Sequence, residues 1–318
     1  MGPKLWLAGA RPRTLPAAVV PVLVGTAAAV GVGPTVGAWP WSATGVSGTA
    51  VLQEALTRSE RITTFALAMI VALALQIATN YANDYSDGKR GTDDPSKRVG
   101  PVRLVGQGLA SSGAVKRAMV ISFAVALAAG SVLVLMIGWE LIPVGIASVA
   151  AGWLYTGGSK PYGYAGFGEV FVFIFFGVVA TVGATYVQIE RITWLSMGSS
   201  IAVGSLATAL LVVNNLRDIP GDTLVGKRTL AVRLGDTNTR RLYAFLMIVP
   251  FLLLPFLAGL GGRPLAAVGF AAIILSTKPL VAVLGGAIGR DLIPVLGATG
   301  RTQLAYGLFV AGGFAVIV

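Results

Sequence analysis

The chain has 318 residues, 55% hydrophobic and 12% charged, with 24 Lys and Arg against 13 Asp and Glu and neither Cys nor His. No soluble domain of this length has an interior large enough to hide so much apolar surface, so an all-α polytopic membrane protein is expected. The missing residue types exclude disulfides, thiolate chemistry, His-based triads and imidazole-held zinc or haem.

Nine apolar runs follow in chain order, at residues 14–33, 62–82, 118–137, 141–157, 170–189, 192–213, 242–260, 264–284 and 302–318. Most reach the ~20 residues that cross ~30 Å of hydrocarbon. The fourth and ninth are short, which calls for tilt or shelter by neighbours. Pro16 and Pro21 interrupt the first run, which reads as a span rather than a cleaved leader. The loop 34–61 carries Trp39, Pro40 and Trp41 as interfacial anchors, and residues 51–60 are expected to form a short surface helix. Lys278-Pro279 places a charge and a kink point together in the eighth run.

Charge placement orients these spans. With the N-terminus inside and the C-terminus outside, every Lys and Arg except Arg58, Arg61, Arg191 and Arg263 falls on the inner side, as the positive-inside rule requires. All aspartates fall on that side too. The net charge of +11 is spread among membrane loops, which favours contact with anionic lipid and speaks against nucleic acid.

Carboxylates are costly beside a bilayer, so two acid-rich patches at the ends of apolar runs stand out. The first is Asn80-Tyr81-Ala82-Asn83-Asp84-Tyr85-Ser86-Asp87, followed by Asp93-Asp94; the second is Asn214-Asn215-Leu216-Arg217-Asp218-Ile219-Pro220-Gly221-Asp222. Asn80, Asn83, Asp84 and Asp87 recur at three or four residues and share one helical face. Asn214, Asp218 and Asp222 recur at four, although Pro220 is expected to put Asp222 on a loop beyond the helix end. Aspartates at this spacing with Asn alongside offer a hard-oxygen shell for Mg²⁺, and two such shells on one membrane face fit two ions clamping a diphosphate. The chain reads as one domain, 1–318, of two motif-bearing halves at roughly 1–167 and 168–318.

Asn83-Asp84-x-x-Asp87 and Asp218-x-x-x-Asp222 resemble the two Asp-rich motifs of the UbiA superfamily of intramembrane prenyltransferases, and the resemblance covers nearly the whole chain. The generic first motif has a third acid where Gly91 stands here, so that position passes to Asp93 or Asp94. The segments 155–164 (Tyr-Thr-Gly-Gly-Ser-Lys-Pro-Tyr-Gly-Tyr), 166–169 and 226–235 are similar to loops of the 1,4-dihydroxy-2-naphthoate prenyltransferase (MenA) branch.

The resemblance implies a multi-pass enzyme of the bacterial cell membrane in menaquinone biosynthesis. Its metal ligands would be Asp84, Asp87, Asp93, Asp218 and Asp222. A polyprenyl diphosphate would lose its diphosphate with allylic-cation character, and the electron-rich dihydroxynaphthoate ring would attack it and release CO₂. Lys160 is the candidate for an anion contact, joined by Lys89, Arg103, Arg217, Lys227 and Arg228 as holders of phosphate oxygens, although loop cations also simply set topology. Asn80, Asn83, Asn214 and Asn215 would bind substrate. Tyr81, Tyr85, Tyr155 and Tyr162 are candidate ring faces for the cation, against the alternative of interfacial anchors. The rivals are another aromatic acceptor, a secondary transporter with ionisable groups near mid-membrane, and a lipid-binding scaffold.

Overall fold

The computed structural model describes residues 2–31, 57–91, 102–259 and 261–316. Among them there is no β-strand. Six helices are long and apolar enough to cross a membrane: Arg58–Arg90, Ser112–Met136, Gly168–Ile189, Trp194–Leu224, Leu230–Gly259 and Pro264–Leu284. Two shorter apolar helices, Pro16–Ala28 and Leu141–Leu154, lie among them. The chain is therefore a multi-pass all-α membrane protein. A short helix, α1 (Pro3–Ala10), leads into α2 (Pro16–Ala28), followed by α3 (Arg58–Arg90), α4 (Ser112–Met136) and α5 (Leu141–Leu154). The second half holds α6 (Gly168–Val172), α7 (Ala180–Ile189), α8 (Trp194–Leu224), α9 (Leu230–Gly259), α10 (Ile273–Leu284) and α11 (Leu292–Ala315). A π-helical stretch, Phe173–Val179, joins α6 to α7 into one span.

Four boundaries differ from the sequence expectation. α3 and α8 run on beyond their apolar segments, to Arg90 and Leu224, because tertiary partners satisfy the polar side chains that follow. Pro220 does not end α8, since it removes only one backbone donor near the helix terminus, so Asp222 remains helical. α11 begins ten residues before the predicted run and is a full-length helix. Arg58, Ser59 and Glu60, expected in a separate surface helix, form the first turn of α3 under a Thr57–Glu60 capping box. Residues 51–56 of that expected helix, and Trp39 and Trp41, lie outside the described residues.

α8 is the central element, and most of its apolar stretch is buried. One apolar core joins α2, α8, α9 and α11 through residues such as Val20, Leu206, Met247 and Phe314; a second joins α1, α3 and α4 through Tyr81, Leu104 and Met119. Glycines set two close crossings. A Cβ on Gly177 would lie 2.6 Å from the Gly204 Cα, so the π-helical stretch packs backbone to backbone on α8. A Cβ on Gly25 would lie 2.1 Å from the Thr181 carbonyl oxygen, so α2 sits directly against α7. Between the two cores a cavity of about 1270 Å³ remains open. One end is polar, and the other runs between apolar side chains of α3, α4, α5 and α7, including Val71, Leu133, Val144 and Ala184.

Candidate active site

The polar end of the cavity is assembled from the last turns of α3 and α8 and the loops after α5 and α8. Asn80 donates to the Ala10 carbonyl at 2.9 Å and to Thr14 Oγ1 at 3.3 Å, tying α3 to the turn that follows α1. The Asn83 side-chain oxygen accepts from the Thr156 hydroxyl at 2.8 Å. Asp87 is 2% exposed. Its Oδ1 accepts the Tyr164 hydroxyl, and its Oδ2 lies 3.4 Å from both Arg103 Nη2 and Lys227 Nζ. Two cations and a phenol from three different segments thus converge on one buried carboxylate.

The second motif is arranged more locally. Arg217 presents a two-pronged bond to its neighbour Asp218, at 2.7 and 2.6 Å, and donates to the Asn214 side chain at 2.9 Å. Asn215 points elsewhere and donates to Glu169 Oε1 at 2.9 Å. Asp222 follows Asp218 by one helical turn, and its carbonyl accepts the backbone amide of Lys227 at 2.9 Å.

Two loops close over these helices. Arg90 donates to the carbonyls of Thr156 and Gly158, fixing the start of the 155–167 loop. Lys227 lies 4.5 Å from the centre of the Tyr164 ring, and Arg228 donates its amide to the Tyr164 carbonyl at 2.9 Å. Burial alone pushes the Lys227 ammonium pKa down, but Asp87, Tyr164 and Asp222 outweigh it and hold the group above the ordinary lysine range. Lys227 is therefore a fixed positive charge at neutral pH. Burial pushes the Tyr155 phenol well up, with Glu169 adding to the effect, so that ring stays neutral. Tyr155, Tyr162 and Phe171 form a continuous aromatic wall, with centroids 5.5 and 4.0 Å apart.

A buried set of hard oxygens beside fixed cations, opening into an apolar tunnel, is suited to a diphosphate with a long hydrocarbon tail. Residues 18–285 match the UbiA prenyltransferase family. The chain belongs to the UbiA prenyltransferase family. It is 48% identical over 310 residues to the 1,4-dihydroxy-2-naphthoate octaprenyltransferase of Mycobacterium tuberculosis, covering 98% of this chain and 96% of the relative. It is 36% identical to the enzyme of that name from Escherichia coli, over 76% and 72% of the two chains. A UbiA homologue from Archaeoglobus fulgidus, solved with GPP and Mg²⁺, shares the fold with a TM-score of 0.58 at 16% identity, covering 98% of this chain and 99% of that one. The activity class is accordingly that of a prenyltransferase.

For this UbiA member, the cavity wall includes Asn80, Asn83, Asp87, Arg103, Tyr155, Tyr162, Asn214, Asn215, Arg217, Asp218, Asp222 and Lys227. Other expected residues lie elsewhere. Asp84, expected among the metal ligands, is 1% exposed and turned away from the cavity, its two oxygens accepting the backbone amides of Leu104 at 2.7 Å and Val105 at 2.9 Å. On a helix the segment's residues fan out by about 100° each, so Asp84 falls on the flank that meets the 102–110 turn. Lys160 is exposed and outside the cavity wall, because the loop that carries it turns its other face inward. Lys89, exposed above the Tyr85 ring, and Arg228, exposed beyond Lys227, are also outside. Tyr81 is buried against Trp6 and donates to its carbonyl at 2.9 Å, and Tyr85 packs on Trp153, so neither faces the cavity.

Gly91, which stands where the generic motif has an acid, ends α3 with a φ of 69°, a left-handed stop that favours glycine. Asp93 and Asp94 lie outside the described residues. The sequence reading gave no role to Tyr164 or Glu169. Both stand in the 155–169 segments already singled out, but neither their partners nor their direction can be read from local spacing.

Proposed function

We propose that this chain transfers a polyprenyl group from its diphosphate to 1,4-dihydroxy-2-naphthoate with loss of CO₂. The product is the quinol form of demethylmenaquinone. In this reaction the allylic carbon–oxygen bond breaks and diphosphate leaves with the electron pair. The ring carbon that carries the carboxylate forms the new carbon–carbon bond, and CO₂ leaves its bonding electrons to restore the aromatic ring. The reading is carried by one observation, the convergence of acids from both motifs with Arg103, Arg217 and Lys227 at the mouth of an apolar tunnel. The named activity of the relatives supports the acceptor.

The donor set fits Mg²⁺. Asp87, Asp218 and Asp222 supply hard carboxylate oxygens on one cavity, with Asn83 and Asn214 beside them. No group of three acids among the described residues is gathered closely enough to hold an ion as it stands. Asp87 faces Arg103 and Lys227, and Asp218 faces Arg217. We read these cations as poised to move from carboxylate to phosphate oxygens when substrate enters, leaving the acids to the metal. Two ions, one on each motif, suit this arrangement, and the Archaeoglobus relative solved with GPP and Mg²⁺ supports the metal requirement. Bound metal would neutralise the diphosphate and ease its departure.

Within the chain, Arg103, Arg217 and Lys227 bind and orient phosphate oxygens. Tyr155, Tyr162 and Phe171 present ring faces that exclude water and favour positive charge at the allylic carbon. The ring hydroxyls of the acceptor supply the electron density, so no protein nucleophile is needed. We place the polar end on the cytoplasmic side, with the N-terminus inside and the C-terminus outside, from the distribution of Lys and Arg. The chain acts as one domain of two halves around the cavity, in contact with membrane lipid.

The test is turnover by purified protein with Mg²⁺, a polyprenyl diphosphate and a panel of aromatic acceptors. Prenylated product with dihydroxynaphthoate and decarboxylation is expected. Product only with another acceptor, such as a hydroxybenzoate, would move the chain to a sister activity, and no product with any acceptor would overturn the reading.

A further inference from the structure

Asp84 lies in the middle of the first acid motif, yet its environment is that of a structural anchor. Both of its oxygens accept backbone amides, from Leu104 and Val105, and it is 1% exposed. A carboxylate in that position acts on a turn as a helix-capping acid does, satisfying donors that have no other partner. The turn it holds continues inward through Gln107 to Arg103 and Ala110 to Leu104 backbone bonds at 3.1 and 2.8 Å. Packing fixes the same turn independently. A Cβ on Gly88 would lie 2.5 Å from the Val105 side chain, and one on Gly9 would lie 2.7 Å from Leu104. The residue that enters this turn is Arg103, whose guanidinium reaches Asp87 at 3.4 Å in the cavity wall.

We propose that Asp84 is a positioning residue rather than a metal ligand: it pins the 103–110 turn to α3 and thereby aims Arg103 at the diphosphate end of the cavity. One motif then contains two carboxylates with separate tasks, Asp87 facing the ligand and Asp84 holding the cation that faces it. The kinetic part rests on the prenyl-transfer reading above; the structural part does not.

Asp84→Asn keeps the side-chain volume but leaves one acceptor for two amides. Hydrogen–deuterium exchange on the purified protein without Mg²⁺ or substrate should show faster exchange in the peptide spanning 103–110. Unchanged exchange there overturns the proposal whatever the enzyme's activity. In turnover assays, Asp84→Asn should raise KM for the polyprenyl diphosphate by about 10- to 100-fold, with the half-saturating Mg²⁺ concentration held within about twofold. The double variant with Arg103→Ala should be no worse than Arg103→Ala alone, because both remove one interaction. A Mg²⁺ requirement raised tenfold or more, with additive losses in the double variant, would make Asp84 a ligand and sink the idea. Gly88→Ala reaches the same turn without altering any carboxylate, and serves if Asp84→Asn cannot be purified. It should reproduce the KM defect and the faster exchange, and wild-type behaviour in both would count against the proposal. Should the wild-type protein not turn over, the prenyl-transfer reading fails while the exchange experiment still judges Asp84.

Discussion

The two acid motifs have similar local spacing and opposite surroundings. On α3 the acids are almost fully buried and are held by distant segments: Tyr164, Arg103 and Lys227 on Asp87, and the 104–105 amides on Asp84. On α8, Asp218 is held by the adjacent Arg217, and Asp218 and Asp222 are only half-buried at the cavity wall. The acids of the first motif thus tie together loops from both halves of the chain, while Asp218 of the second is held by its own neighbour at the cavity wall. A carboxylate's role follows from which donors reach it, and those donors are set by packing rather than by spacing.

The largest expected effect of breaking this contrast is at Asp87. Asp87→Ala should lower turnover by at least about 10²-fold. It should also destabilise the protein by roughly 3–5 kcal/mol, because it leaves two buried cations without their shared carboxylate. Thermal unfolding in detergent alongside turnover would check both, and an unchanged melting temperature would show that the convergence on Asp87 carries little stability.

Asp218→Asn should reduce turnover by roughly 10²- to 10³-fold, with a small change in melting temperature, since the cation that holds it is its own neighbour. A large loss of stability would erase the distinction between the motifs. Next comes Lys227→Met, expected to raise the diphosphate KM about tenfold, or about 1.4 kcal/mol. The pH dependence sharpens this case. Because the folded pKa of Lys227 is raised, its charge and its contribution to stability persist below the ordinary lysine value of about 10.4 and disappear only as pH climbs through the raised value. An activity limb below about pH 10 that vanishes in Lys227→Met would contradict the assignment. The smallest effect belongs to Lys160→Ala, whose side chain is exposed outside the cavity wall, and KM values for both substrates should stay within about twofold.

Much of the fold was legible from composition because a bilayer leaves few choices. Apolar runs of about 20 residues must become helices to satisfy their backbone. The polar ends of those helices were harder to read. Pro220 looked like a stop for α8 and is not, since a helix near its terminus loses little when one donor is missing. Among the candidate cations, Arg103, Arg217 and Lys227 line the cavity, whereas Lys89, Lys160 and Arg228 are exposed outside its wall, a difference of direction that local spacing does not carry. Tyr164 escaped notice because a tyrosine in a membrane loop resembles an interfacial anchor until its hydroxyl is seen on Asp87.

By itself the sequence determined that the chain is a helical membrane protein, that its acids gather in two patches on one face, and that those patches carry hard oxygens at helical intervals. These follow from hydropathy and from the 3.6-residue helical repeat, both local properties. Only the tertiary structure decided that Asp87 faces the cavity while Asp84, three residues away, holds a backbone turn. Both oxygens of Asp84 meet amides 20 and 21 residues further along the chain, a coincidence in space that no local pattern contains.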